Sequence, residues 1–179
     1  MPSSTTATRS LVNSYEIQHW LKFPEQTNYI KVTELNSAET ERSDNSYEPE
    51  WLDYAVQPKF QLQGSEDLSI EVDAMAPGGA QKFFAKYEDE KNVPVEYVRT
   101  IGYDFEKEQA CPADALVAKH AAAKLNVGAM TQEAGGPIKM PATITVDEAY
   151  DRGTFAPSTG TYTPATGDDD SESGEGQTE

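Results

Sequence analysis

Cysteine is nearly missing. Cys111 stands alone among 179 residues, so the chain can close no disulfide on itself, and a cytosolic site of synthesis is the plain expectation. Histidine is almost as rare, His19 and His120 being the two. Neither C-x-x-C nor H-E-x-x-H occurs, which leaves a zinc site without ligands at the usual spacing. There is no G-x-S-x-G elbow either, so no nucleophile and base can be paired from the sequence. Cations are scarce too: 14 Lys plus Arg face 31 Asp plus Glu, a formal net charge of -17. Affinity for nucleic acid comes chiefly from Lys and Arg on phosphates, so tight DNA or RNA binding is excluded, and an anionic membrane surface would repel the chain. No run approaches the roughly 18 to 20 apolar residues that span a bilayer. The segment behind Met1 is rich in Ser and Thr and has no apolar h-region, so no secretory signal is expected.

What remains is the composition of one ordered body with polar appendages. Hydrophobic residues make up 37% of the chain and aromatics 9%, below the globular norm of roughly 45 to 50% (a count that includes Gly) but too rich for disorder throughout. The length suits one domain. Residues 1–12 read as a flexible arm, 13–164 as the domain and 165–179 as an acidic tail expected to be disordered. The tail carries Asp168, Asp169, Asp170, Glu172, Glu175 and Glu179 with no basic residue, so removing it takes the charge from -17 by 6 to -11. The body is itself acidic.

Within the body, period-two alternation recurs, the mark of strands with one buried face. Tyr15, Ile17, His19, Leu21 and Phe23 alternate with polar neighbours and Trp20; Leu68, Ile70, Val72 and Ala74 do the same. Val93 to Asp104 reads as one long strand with Val95, Tyr97, Arg99 and Ile101 on one face. Ile138, Met140, Ala142, Ile144 and Val146 form the clearest set. Shorter runs at Tyr29 to Glu34 and Val56 to Gln63 fit, and Gly153 to Thr163 reads as a short hairpin around Pro157 to Gly160. Antiparallel sheet is the expected class. One helix breaks the pattern, over 80–90, with Phe83, Phe84 and Tyr87 covering a sheet face. Ala115 to Val127 suits helix by its alanines and strand by Val117, Leu125 and Val127. Leu35 to Ala55 shows no period and reads as a long loop. Its acids and aromatics suggest a docking surface, with Glu39, Asp44, Tyr47, Trp51, Asp53 and Tyr54 as contact candidates.

For chemistry the sequence offers little, and no catalytic, cofactor or metal residue is assigned. His19 sits on an apolar strand face, where a core or interface histidine is the ordinary case. Gly78-Gly79 precedes the helix, but no phosphate-cradling motif is present. Asp168 to Asp170 lacks the spacing of an EF-hand.

In their order along the chain these features resemble the major tail tube proteins of tailed bacteriophages, siphophage type. The resemblance spans roughly residues 12–164. It rests on the strand pair running into Val32-Thr33-Glu34-Leu35-Asn36-Ser37-Ala38-Glu39, the loop through Tyr47, Trp51 and Asp53, the hairpin to Met75 and the single helix. Gly135-Gly136-Pro137-Ile138-Lys139 and Arg152-Gly153-Thr154-Phe155 complete it. It implies a mainly β fold: an antiparallel β-sandwich or barrel with one flanking α-helix, assembling into a hexameric ring with a shared inner β-barrel. Rings would stack into the tube that conducts double-stranded DNA during ejection without binding it tightly. The partners implied are further copies of the chain and the tail tip or initiator, tape measure and tail terminator proteins, in a virion assembled in the host cytoplasm. No enzyme activity or membrane contact is implied. Glu71, Asp73, Glu96 and Asp104, on polar strand faces, are the candidates for an acidic lumen. A second reading is an acidic β-sandwich that binds a carbohydrate or protein through Tyr47, Trp51 and Tyr54. A third, a glycosidase using Glu71 and Asp73, has little behind it, because 31 acids place such pairs together by chance.

Overall fold

The computed structural model describes residues 12–43, 46–48, 60–61, 64–76 and 78–165. A 3-10 turn at Ser14–Glu16 leads into β1 (Ile17–Lys22), β2 (Ile30–Lys31), β3 (Leu35–Ser43), β4 (Ser46–Tyr47), β5 (Phe60–Gln61) and β6 (Ser65–Asp73). Helix α1 (Gln81–Lys86) follows, then β7 (Val93–Ile101), β8 (Tyr103–Asp104), β9 (Gln109–Ala110) and β10 (Leu116–Val127). The chain continues through β11 (Thr131–Gln132), β12 (Ile138–Val146), β13 (Asp151–Ala156) and β14 (Thr161–Pro164). Ten of these strands share one sheet, whose main path runs β2-β1-β7-β10-β12-β6-β3. Its strand pairs are antiparallel. The sheet forks at β10: one edge pairs with β7, while the other pairs with β13 over its first half and with β12 over its last residues.

The alternation in sequence is the cause of the core. Leu68, Ile70 and Val72 of β6 meet Ile144, Ala142 and Met140 of β12 in register, and Leu125 and Val127 of β10 meet Ile144 and Ala142. These side chains join Leu21 of β1, Phe23 just after it, and Val93, Val95 and Tyr97 of β7 in one buried cluster. Strands far apart in the sheet order therefore share a core, which requires the sheet to curl. Helix α1 closes one end: Phe23 stacks on Phe83 at 4.4 Å between ring centroids and on Tyr87 at 6.0 Å. Six residues are too few for a helix to hold itself in water, so this packing maintains it. Gln81, buried on the first turn, donates to the Glu34 carboxylate at 2.8 Å and ties the helix to the start of β3. On the opposite sheet face Trp20, Val98, Ala118 and Phe155 form a second cluster beneath Tyr29 and Tyr162, so the β13–β14 hairpin lies over β7 and β10.

Several elements differ from the sequence reading. The stretch read as a loop from Leu35 to Ala55 opens with the nine-residue strand β3, paired with β6 along its length. Its residues from Asn36 on are exposed, so neither face carries an apolar alternation; pairing alone makes it a strand. Helix α1 is shorter than 80–90, because the chain turns at 87–89 to enter β7. The first strand starts at Ile17, with Tyr15 in the preceding turn and 74% exposed. The long strand expected to reach Asp104 ends at Ile101, and Tyr103–Asp104 pairs with β9 instead. The ambiguous alanine-rich segment is strand β10, since its small side chains pack between β7, β12 and β13.

Candidate functional site

Strand β3 forms one border of the sheet path. One side of its backbone bonds to β6, and no strand among the described residues pairs with the other, which leaves a row of N–H and C=O groups. The only irregularity in its register lies at its start, between Leu35 and Ser37.

Register also decides which side chains share the polar face beside that edge. Ser37, Glu39 and Glu41 of β3 lie opposite Glu71, Ser69 and Asp67 of β6. These in turn lie opposite Pro141, Thr143 and Thr145 of β12, with Asp73 beside Lys139. The face turned away from the core thus gathers Glu39, Glu41, Asp67, Glu71 and Asp73 around the single lysine Lys139 on these strands. Lys139 contacts Glu71 at 3.1 Å, Thr145 donates to Asp67 at 2.6 Å, and Asn36 donates to Asp73 at 2.5 Å. Glu71 draws the Lys139 ammonium above its usual pKa, by hydrogen bond and by charge.

The four carboxylates singled out for the lumen do not stay together. Glu71 and Asp73 share this face. Glu96 lies on β7, three strands along the path, where it accepts from Lys22 at 2.7 Å and from the Tyr29 hydroxyl at 2.5 Å. Burial pushes the Glu96 carboxyl up, but these two hydrogen bonds outweigh it and leave the group below its ordinary value. Its work is to fasten the 24–29 loop. Asp104 accepts from the backbone N–H groups of Glu106 and Lys107 at 3.0 and 3.2 Å, which makes it the cap of the β8–β9 turn. Of the contact candidates, Glu39 is exposed on β3 and Tyr47 is 54% exposed on β4. Asp44, Trp51, Asp53 and Tyr54 lie outside the described residues.

A polar network on the core side was not assigned from the sequence; the signal for it is Arg99, a charge among apolar residues on one strand face. Glu66, buried, accepts from Tyr150 at 2.7 Å and from Arg42 at 2.8 Å, with Arg99 at 3.6 Å. Burial pushes its carboxyl up, and the partners outweigh that and hold it below its ordinary value. Beside it the Tyr97 hydroxyl lies 2.8 Å from His19 Nδ1. Burial, reinforced by Arg99, lowers the His19 pKa to about 4, while burial raises that of Tyr97. A neutral histidine and a protonated tyrosine therefore share this hydrogen bond. His19 and Arg99 also line a cleft of about 700 Å³ between β1 and β3, where the curled sheet does not close on itself.

Nothing in this arrangement pairs a nucleophile with a base. Among the described residues, no group of three or more His, Cys, Asp or Glu side chains is placed to hold a metal, and no helix is long and apolar enough to cross a membrane.

No protein-family model matches the chain, and no curated protein matches it. Among solved structures, a chain from the tail of an empty GTA particle, computed with helical refinement and C6 symmetry, is similar in fold. Its TM-score is 0.52 at 10% identity, over 77% of this chain and 96% of that one. A chain from the six-fold symmetrised baseplate of the anti-feeding prophage gives a TM-score of 0.44 at 10% identity, over 83% and 98%, too low to argue from.

Proposed function

We propose that the chain is a structural subunit of a phage-type tail tube, in which six copies close a ring, rings stack, and double-stranded DNA passes through the lumen during ejection. The open edge of β3 carries this reading. Nine residues of edge that no described strand pairs, without proline and bulged only at their start, invite another strand, and a closed cyclic ring would satisfy every such edge at once. The fold likeness to a chain of a C6-symmetric tail agrees with it.

In this reading Glu71 and Asp73, with Glu39, Glu41 and Asp67 on the same face, line the lumen, where carboxylates repel DNA phosphates and let the duplex slide. Glu96 and Asp104, engaged elsewhere, are not assigned to it. Tyr47 and the loop candidates Asp44, Trp51, Asp53 and Tyr54 contact a neighbouring subunit or ring; Glu39 joins them at the β3 edge. The further partners are the tail tip or initiator, tape measure and terminator proteins, with the finished subunit in a virion built in the host cytoplasm. The subunit performs no chemistry.

Electron microscopy of the concentrated full chain is the test. Six-fold rings or tubes are expected. A protein that stays monomeric at high concentration, and still fails to assemble when tail initiator components are added, overturns the reading.

A further inference from the structure

Cations are scarce in this chain, yet the fold lines three of them up. Arg99 of β7 is the cross-strand partner of Lys119 of β10, and Lys119 is the partner of Arg152 of β13. All three occupy one face of neighbouring strands, about 5 Å from strand to strand, and His19 extends the row beyond Arg99. Like charges directly opposite each other weaken a sheet. Three in a row, in a chain with 14 basic residues against 31 acidic ones, call for an anion.

The carboxylates in place satisfy the row only in part. Glu66 reaches Arg99 at 3.6 Å while also holding Arg42 at 2.8 Å. Glu106, itself 83% exposed, reaches Arg152 at 3.2 Å. Lys119, in the middle, has no carboxylate within ion-pair distance among the described residues; its ammonium lies 6.0 Å from the centre of the Tyr150 ring. Burial, then Arg99, Arg152 and Arg42, hold that ammonium below its usual pKa. Access is open at both ends, since the Arg152 side chain is 72% exposed and Arg99 lines the cleft.

The chain carries an anion of matching reach. The N–H of Ala165 donates to the Arg152 carbonyl at 2.9 Å, so β14 delivers the C-terminal segment to the outer end of the row. Asp168, Asp169 and Asp170 follow, three to five residues on, within about 11 to 17 Å of extended chain. From β14 to β10 is two strand spacings and to β7 three, about 10 to 15 Å. We propose that the C-terminal tail folds back across β13 and docks the Asp168 to Asp170 carboxylates on the Arg152, Lys119 and Arg99 row of its own chain. The proposal concerns the single subunit and does not rest on the tail-tube reading; a neighbouring copy's tail is the rival occupant.

Carbodiimide treatment of the full chain tests it, because the reagent activates a carboxylate that an adjacent lysine then attacks, forming an amide and releasing the urea. A peptide joining Lys119 to Asp168, Asp169 or Asp170 is expected by mass spectrometry at about 0.01 M salt. Its yield should fall about tenfold at about 1 M, as the screening length shrinks from about 30 to about 3 Å. Replacing Asp168→Asn, Asp169→Asn and Asp170→Asn together should abolish that peptide, leaving the far-UV circular dichroism of the described strands unchanged because the sites lie beyond β14. The Lys139 to Glu71 link, 3.1 Å apart, serves as internal control. If the control forms at low salt and no link from Lys119 to the tail does, the proposal fails. It fails equally if a mixture of isotope-labelled and unlabelled chains yields the tail link between two chains.

Discussion

Gly153 and His19 show how single residues set limits on this fold. A Cβ at Gly153 would collide with the Thr163 carbonyl oxygen and lie 2.8 Å from the Tyr162 ring, so no other residue fits where β13 crosses β14. Gly153→Ala is expected to lower stability by about 2 kcal/mol, the scale of overpacking, and a thermal melt should show a drop of several degrees. His19 makes stability depend on pH. The unfolded side chain takes up a proton below 6.5 and the folded one only below about 4, so between those values the unfolded state binds one more proton and stability falls as the pH falls. The slope is about 1.4 kcal/mol per pH unit, on the order of 3 kcal/mol over the window. Glu66 acts in the same direction lower down. Its carboxyl stays charged in the fold at a pH where the unfolded one, with its ordinary value of 4.5, is already protonated. Urea titrations of the monomeric protein should therefore show a continuous acid loss in the wild type. His19→Gln, whose amide can donate to or accept from Tyr97, should flatten the part above about 4 and keep the Glu66 part. An unchanged profile in this variant would show that burial does not hold His19 neutral.

Among the elements, the β13–β14 hairpin and β3 depend on different forces. The hairpin is held by side chains: Phe155, fully buried, packs on Trp20 at 4.6 Å and edge-on to Tyr29 at 5.7 Å. Phe155→Ala should cost about 3 to 5 kcal/mol, and hydrogen exchange should show amides of 151–164 losing protection before those of β7. Strand β3 has almost no side-chain burial and is held by its ladder to β6. That difference lets assembly be separated from folding. Ala38, exposed on β3 and lining the cleft, tolerates a long side chain, and a lysine on an open edge discourages further strand pairing. Ala38→Lys is expected to leave the monomer's circular dichroism intact and to suppress rings and tubes in electron micrographs. Assembly at wild-type level would place the subunit contact on another edge.

For the whole molecule, the charge of -17 separates into regions with different surroundings. Five carboxylates gather on the polar face of β3 and β6, six occupy the C-terminal segment, and Arg42, Arg99 and Arg152 lie near Glu66 and Lys119. If the polar face lines a lumen, reversing its charge should turn a passive channel into a DNA-binding one. Tubes of the Glu71→Lys, Asp73→Lys variant should retain short DNA duplexes in co-sedimentation, with retention lost at high salt. Tubes of the unaltered chain should not.

Alternation of Leu68, Ile70 and Val72, and of Met140, Ala142, Ile144 and Val146, was enough to establish the antiparallel β class and the core, because a period of two has one stable solution once one face is buried. The aromatic stripe of α1 was legible for the same reason. Strand β3 was not, since its side chains are exposed and only hydrogen bonds to a partner remote in sequence make it a strand. Nor was the separation of Glu96 and Asp104 from Glu71 and Asp73, because four acids on polar strand positions look alike until the strand order is known. Lys119 and Arg152, more than thirty residues apart, become neighbours only through the fork at β10. Local pattern determines which side of a strand is wet; which wet residues face one another is a matter of pairing between distant segments, and only the tertiary structure decided it.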